Sequence, residues 1–260
     1  MSRLVRLGIR VRADRAEVAL AQLLPLFAAG VEEREVDGDV EYALYAPRGE
    51  LPRPEEIRAL AGDAVVDVVS EPVAEGWERR WHEFLRPVRV GSLVVRPPWI
   101  DGEAGDLVID PGVWFGAGTH ATTQLCLRLL QDEEPGGALC DWGAGTGVLA
   151  IAAARLGWEP VIAVETEPRA IEQISLNAMA NHVAVTTRWL DLTAEPAPWT
   201  PLVVANLPRT VLCRVLIERP PARLIASGIL TGEVDQVAAA FQMRVERRVE
   251  QDGWAGLVLA

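Results

Sequence analysis

Asp141-Trp142-Gly143-Ala144-Gly145-Thr146-Gly147 lies between a short apolar run, Ala138 to Cys140, and an alanine-rich run, Val148 to Leu156. Apolar run, glycine turn and strong helix formers in that order predict a strand, a tight turn and a helix. Missing Cβ atoms in such a turn let backbone approach a ligand closely, so the stretch predicts a nucleotide-cofactor site.

The details of the turn select among cofactors. A dinucleotide fingerprint, Gly-x-Gly-x-x-Gly, uses its third glycine to pack helix on strand and sets a pyrophosphate at the helix N-terminus. Here Gly143 and Gly145 are followed by Val148 where that third glycine would stand. Asp141 sits at the expected strand end, where a carboxylate repels pyrophosphate and attracts a cation. The pattern therefore favours a positively charged cofactor such as S-adenosyl-L-methionine over a nicotinamide dinucleotide. About twenty residues on, Val161 to Val164 reads as a second strand, ending in Glu165. A doubly wound sheet places there the carboxylate that accepts hydrogen bonds from ribose hydroxyls. A Gly-x-Gly turn alone also occurs in ordinary turns; the order strand, turn, helix, strand, acid makes this one specific.

Outward from this point, helices and strands alternate from Thr122 onward, which predicts a right-handed doubly wound α/β sheet. Met243 to Val249 and Gly256 to Leu259 read as a closing strand pair around Gln251-Asp252-Gly253. Upstream, Leu4 to Val11 alternates, and Ala13-Asp14 opens a helix to about Ala29 with Asp14 as its cap. Val31 to Glu35 and Val40 to Tyr45 flank the turn Asp37-Gly38-Asp39, Pro54 starts a helix ending near Gly62, and Val65 to Val69 is a further strand. That is β-α-β-β-α-β, a small ferredoxin-like α+β module. Glu75 to Leu85 reads as a helical linker with Trp77, Trp81 and Phe84 on one face, docked on the larger domain. Two strands follow around Gly91. The expected division is residues 1–73, a module left for substrate recognition by its lack of glycine turns and clustered titratable groups; 74–98, a linker; and 99–260, the cofactor domain.

A chain of 260 residues, half of them hydrophobic, suffices for one good core and a smaller module. No apolar run reaches membrane-spanning length and the N-terminus alternates like a strand, so a cytoplasmic protein without membrane contact is expected. Cys126, Cys140 and Cys213 stand in apolar surroundings and read as buried reduced thiols, with neither a disulfide frame nor a metal site. A net charge of −12 argues against direct nucleic-acid binding and suits a basic protein partner. A monomer is the expected state. All 25 cationic side chains are arginine. A GC-rich genome replacing Lys codons explains this with less machinery than protection from self-modification.

The run Pro111 to Thr123, Pro-Gly-Val-Trp-Phe-Gly-Ala-Gly-Thr-His-Ala-Thr-Thr, resembles the Pro-Gly-x-Ala-Phe-Gly-Thr-Gly-x-His-x-Thr-Thr signature of the bacterial PrmA methyltransferase family. The likeness continues through Asp141 to Leu149, Glu165 to Pro168, Asn177-Ala178, Asn181, Val204-Ala205-Asn206-Leu207 and Ser227-Gly228-Ile229-Leu230. It spans most of the chain from about Trp77, including Trp81, Phe84, Pro87 and Pro98-Trp99. The resemblance implies a Rossmann-like class I methyltransferase that transfers methyl groups from S-adenosyl-L-methionine to lysine side chains and the α-amine of a large-subunit ribosomal protein. It further implies that Phe115, Gly116, Gly118, His120, Thr122 and Thr123 close over the methionine end of the cofactor, with Gly143 and Gly145 beneath it. Glu165, with Thr166 beside it, would hold the ribose, and Asn206 would face both the sulfonium and the incoming amine as the catalytic residue. The chain departs from the pattern at Ala117, which removes a hydroxyl, and at Trp114. The stretch from Asn206 to Pro220 is short for a helix, and Pro208 follows Asn206 by two residues, as in relatives that methylate glutamine or nucleobases.

Methyl transfer needs alignment and an uncharged amine rather than a covalent nucleophile. Asn206 offers a carbonyl acceptor that orients an amine without taking its lone pair. His120 is expected to tie loop backbone together rather than act as a base, and Glu167 to cap the helix at Pro168. Asp191 is either an adenine contact or a surface loop residue. The other readings kept open are a methyltransferase acting on another protein's lysine or glutamine or on a small amine, a nicotinamide-dependent oxidoreductase, and a cofactor-binding protein without catalysis.

Overall fold

The computed structural model describes residues 4–23, 26, 32–47, 51–72, 85–112 and 118–260. The chain divides into two compact units; described residues up to 72 belong to the first and those from 85 onward to the second.

In the first unit β1 (Leu4–Val11), α1 (Ala16–Leu23), β2 (Glu32–Val36), β3 (Asp39–Pro47), α2 (Pro54–Ala61) and β4 (Val65–Pro72) follow the expected order. The sheet runs β2-β3-β1-β4 with every neighbour antiparallel, the ferredoxin-like arrangement. Its alternating strands bury Leu7, Ile9, Val11, Tyr42 and Leu44, while α1 and α2 bury Leu20, Leu23 and Ile57. Two local expectations change. A 3-10 turn at Ala13–Arg15 precedes α1, and no side chain caps it. The turn begins one residue before Asp14, whose carboxylate pairs with the Arg12 guanidinium at 3.2 Å. Helix α2 starts at Pro54 as expected, because the Glu56 carboxylate accepts from Arg53 N at 3.0 Å. The expected linker stripe Trp77, Trp81 and Phe84 lies outside the described residues.

The second unit opens with a small sheet of β5 (Val88–Val90), β6 (Leu93–Arg96) and β7 (Leu107–Val108), whose Val90, Leu93 and Val95 share a core with Leu139, Ile151 and Val204. There follow α3 (Ala121–Gln131), β8 (Leu139–Trp142), α4 (Val148–Leu156), β9 (Val161–Glu165), α5 (Pro168–Ala180), β10 (Thr186–Trp189), β11 (Leu202–Asn206), α6 (Arg209–Leu212), β12 (Arg223–Leu230), α7 (Val234–Phe241), β13 (Val245–Gln251) and β14 (Trp254–Leu259). The order β10-β9-β8-β11-β12-β14-β13 is parallel through β12, and β14 is antiparallel to both neighbours. The central strands are apolar on both faces because helices cover both: Leu139 and Val204 enter one core, Cys140, Trp142 and Val203 the other. Winding reverses where β8 lies between β9 and β11, and the crevice at such a switch point, beyond the carboxyl ends of the strands, is where doubly wound sheets bind ligands. Asn206, Trp142 and Glu165 end the three strands that meet there. After β11 only the four-residue α6 forms, so the segment is short, as its sequence suggested. No helix among the described residues is long and apolar enough to cross a membrane.

Candidate cofactor and methyl-transfer site

The glycine turn takes its shape from three alternating glycines with φ of 69° at Gly143, 54° at Gly145 and 80° at Gly147. An L side chain rarely adopts that left-handed conformation. Two of the three also make room for neighbours within the protein. A Cβ at Gly143 would stand 2.4 Å from Leu207 Cδ2, and one at Gly147 would stand 2.9 Å from Ile174 Cγ2. Leu207, noted in the sequence only as part of the Val204-Ala205-Asn206-Leu207 stretch, thus lies against the turn.

Asp141 ends up beneath the turn rather than at a solvent-facing edge. It is 1% exposed; Oδ2 accepts from Ala150 N in the first turn of α4 at 3.0 Å, and Oδ1 has no partner among the described residues. Burial pushes its pKa up to about 7, against the lowering effect of the Ala150 N–H, with nearby Glu165 raising it further. A helix N-terminus favours a negative charge, but one N–H does not replace the water a carboxylate loses on burial.

Glu165 stands half-buried at the end of β9. Its Oε2 accepts from Gly145 N at 2.9 Å, while Oε1 accepts from Thr166 N at 2.7 Å, Thr166 Oγ1 at 3.2 Å and Glu167 N at 3.2 Å. The carboxylate is thereby locked to the lip of the glycine turn with a lone pair of Oε2 still open. Glu167 caps α5 by accepting from Arg169 N, as expected. Beyond β10, Asp191 closes an Asx turn: Oδ1 accepts from Thr193 N at 2.8 Å and Thr193 Oγ1 at 2.7 Å, which holds its pKa below the ordinary value.

Of the residues from the 111–123 run, Phe115 and Gly116 lie outside the described residues. Gly118 has φ of 85° and packs its Cα against Val95. His120 caps α3, its Nδ1 accepting from Thr122 N at 3.3 Å and lying 2.8 Å from Thr122 Oγ1, and its ring meets Trp254 edge-on at 5.3 Å. Burial pushes its pKa down to about 4 despite Asp252 nearby, so the ring is neutral at pH 7 with Nδ1 already occupied. The expected backbone-tying role is the one the geometry gives it. Thr122 and Thr123 are buried.

Thr123 Oγ1 accepts from Asn206 Nδ2 at 3.1 Å, across 83 residues of sequence. The amide nitrogen of Asn206 is fixed by that contact, and its carbonyl oxygen has no partner among the described residues. The turn after Asn206 is shaped from behind: Leu207 N donates to Ser227 O at 3.1 Å, and a Cβ at Gly228 would fall 2.6 Å from Leu207 O. Only glycine fits there, at φ of 83°. Cys126 and Cys140 are buried free thiols as expected, whereas Cys213, the residue that follows α6, is partly exposed.

A cradle of backbone without side-chain walls, a carboxylate with an open lone pair on one adjacent strand, a carbonyl acceptor on the other and a half-satisfied buried acid beneath fit a cationic adenosine. Fold and site define a class I methyltransferase that uses S-adenosyl-L-methionine. The model of one family, described as ribosomal protein L11 methyltransferase (PrmA), matches residues 55–260, and this chain belongs to that family. A ribosomal protein L11 methyltransferase of Pelotomaculum thermopropionicum is 41% identical over 216 residues, covering 77% of this chain and 70% of the relative. One of Burkholderia ambifaria is 32% identical over 289 residues and 96% of each chain. The crystal structure of a ribosomal protein L11 methylase from Lactobacillus delbrueckii subsp. bulgaricus matches with a TM-score of 0.59 at 25% identity, over 67% of this chain and 97% of that one.

Proposed function

We propose that this chain transfers methyl groups from S-adenosyl-L-methionine to amino groups, lysine side chains and an α-amine, of a basic ribosomal protein of the large subunit. The observation that carries the reading is Asn206, with its amide nitrogen tied to Thr123 and its carbonyl left open at the strand end beside the glycine turn. The names of the relatives support the substrate.

Bound S-adenosyl-L-methionine supplies a methyl carbon already activated by its sulfonium. Gly143 and Gly145 would provide the backbone surface beneath it, with Gly118, Thr122 and Thr123 on the methionine side. Glu165, with Thr166 beside it, would accept from the ribose hydroxyls, and Asp191 would border the adenine. Asp141 acts from below: a buried carboxylate with one bare oxygen lends negative potential where a cation rests. The Asn206 carbonyl would accept a hydrogen bond from the incoming amine and leave the nitrogen lone pair of that amine free for the methyl group. His120 takes no proton, since its Nδ1 is spent on the helix cap. A lysine ammonium gives its proton to solvent water as it enters, because desolvation lowers its pKa. Arg209, three residues past Asn206, does not repel the amine because Glu233 holds it in an ion pair at 2.9 Å.

Residues 1–73 serve protein recognition, 74–98 connect, and 99–260 bind cofactor and catalyse. The acidic chain works in the cytoplasm as a monomer, drawn to a basic partner by charge rather than to nucleic acid. Incubation with labelled S-adenosyl-L-methionine and hypomethylated large-subunit ribosomal proteins tests the reading. Label on one basic ribosomal protein is expected. Label confined to a different protein or to a small amine would replace the substrate and keep the chemistry, and cofactor binding with no transfer at all would remove both.

A further inference from the structure

Asn177 and Asn181 have no part in the chemistry described above, yet both are 2% exposed and both amides are fully engaged. Strand β7 pairs with β6 along one edge; along the other, no strand follows among the described residues. Helix α5 takes the strand's place there. Asn181 Oδ1 accepts from Val108 N at 2.8 Å and its Nδ2 donates to Val108 O. Asn177 repeats the pair two residues along, accepting from Asp110 N at 3.0 Å and donating to Asp110 O at 2.9 Å. Four residues of helix rise about 6 Å. Two residues of strand rise about 6.6 Å. An i, i+4 asparagine pair therefore fits the i, i+2 backbone groups of one strand edge, and completes its ladder.

Asn177 makes one contact that Asn181 lacks: its Nδ2 also donates to Thr146 O, inside the glycine turn, at 2.9 Å. One side chain thus joins the turn to Asp110, the residue that precedes the 111–123 run. We propose that Asn177 is a positioning residue for methyl transfer, coupling the glycine turn to residues 108–112, so that a cofactor that stabilises one stabilises the other. The inference rests on the cofactor site proposed above.

Hydrogen exchange of the wild-type chain with and without S-adenosylhomocysteine separates the two. Added ligand is expected to raise protection together at residues 143–147 and 108–112. Protection at 143–147 alone would overturn the coupling and keep the site; protection at neither would overturn both. In parallel, Asn177→Ala is expected to weaken S-adenosylhomocysteine binding about tenfold, the scale of one lost buried hydrogen bond, while Asn181→Ala, which keeps the Thr146 contact, stays within about threefold. Equal losses of affinity in the two variants, or a fall in melting temperature with affinity intact, would reduce Asn177 to a packing role.

Discussion

Glu41 in the first unit and Asp141 in the second are both carboxylates buried on sheet strands, and their surroundings treat them in opposite ways. Burial raises the pKa of Glu41, but hydrogen bonds and charge from Arg6 and Arg34 outweigh it and leave the carboxyl below its ordinary range. Asp141 receives one backbone N–H and no cation, and its pKa stands at about 7. A fully paired acid has its charge spent inside the fold, which suits a scaffold. A half-paired one beneath a glycine turn keeps its field available for something that arrives, which suits a cation site.

The largest effect expected from this contrast is at Asp141. In the unfolded chain it ionises near 3.8, in the native chain near 7, so the native state holds the extra proton between those values. Stability from this group is highest below the lower value, falls as pH rises through 7 and stays lowest above it. Asp141→Asn, which retains an acceptor for Ala150 N, is therefore expected to gain up to about 4 kcal/mol at pH 8, with the gain shrinking towards pH 5, and to bind S-adenosyl-L-methionine, whose sulfonium carries the positive charge, more weakly. Denaturant unfolding at the two pH values checks this; a gain independent of pH would mean that the charge is not what burial penalises.

Glu41→Gln should do the reverse, costing about 3 kcal/mol because it removes the carboxylate charge that Arg6 and Arg34 share, and leaving cofactor affinity within twofold. Exchange rates of the Tyr42 and Leu44 amides, set beside calorimetry, separate the two outcomes. Asn206→Ala sharpens the contrast from the catalytic side. Turnover is expected to fall about a hundredfold, equivalent to about 2.7 kcal/mol, with S-adenosylhomocysteine affinity changed by less than about threefold. Equal losses in both would assign Asn206 to cofactor binding.

What the sequence revealed were the features written in consecutive residues. Helix α4 runs Val148–Leu156 as expected because glycines bound it on both sides. Strand β9 ends on Glu165, and Glu167 caps α5, for equally local reasons. The ferredoxin-like order of the first unit followed from alternation and turn residues, and the class of the second from the spacing of one turn and two acids. What escaped depends on partners distant in sequence. The inward turn of Asp141 is decided by the α4 N-terminus nine residues on, and the hold of Thr123 on Asn206 spans 83. Gly143 was expected to admit a ligand and is also required by Leu207, as Gly147 is by Ile174. Asp14 does not serve as a cap because the 3-10 turn already begins at Ala13, which places Asp14 inside it.

Calorimetric titration of the wild-type chain and Glu165→Gln with S-adenosylhomocysteine and with NADH is the most direct test of the cofactor site. Saturable heat with S-adenosylhomocysteine, about tenfold weaker binding in the variant, and no heat with NADH are predicted. Tight NADH uptake, with S-adenosylhomocysteine ignored by both proteins, would contradict the account.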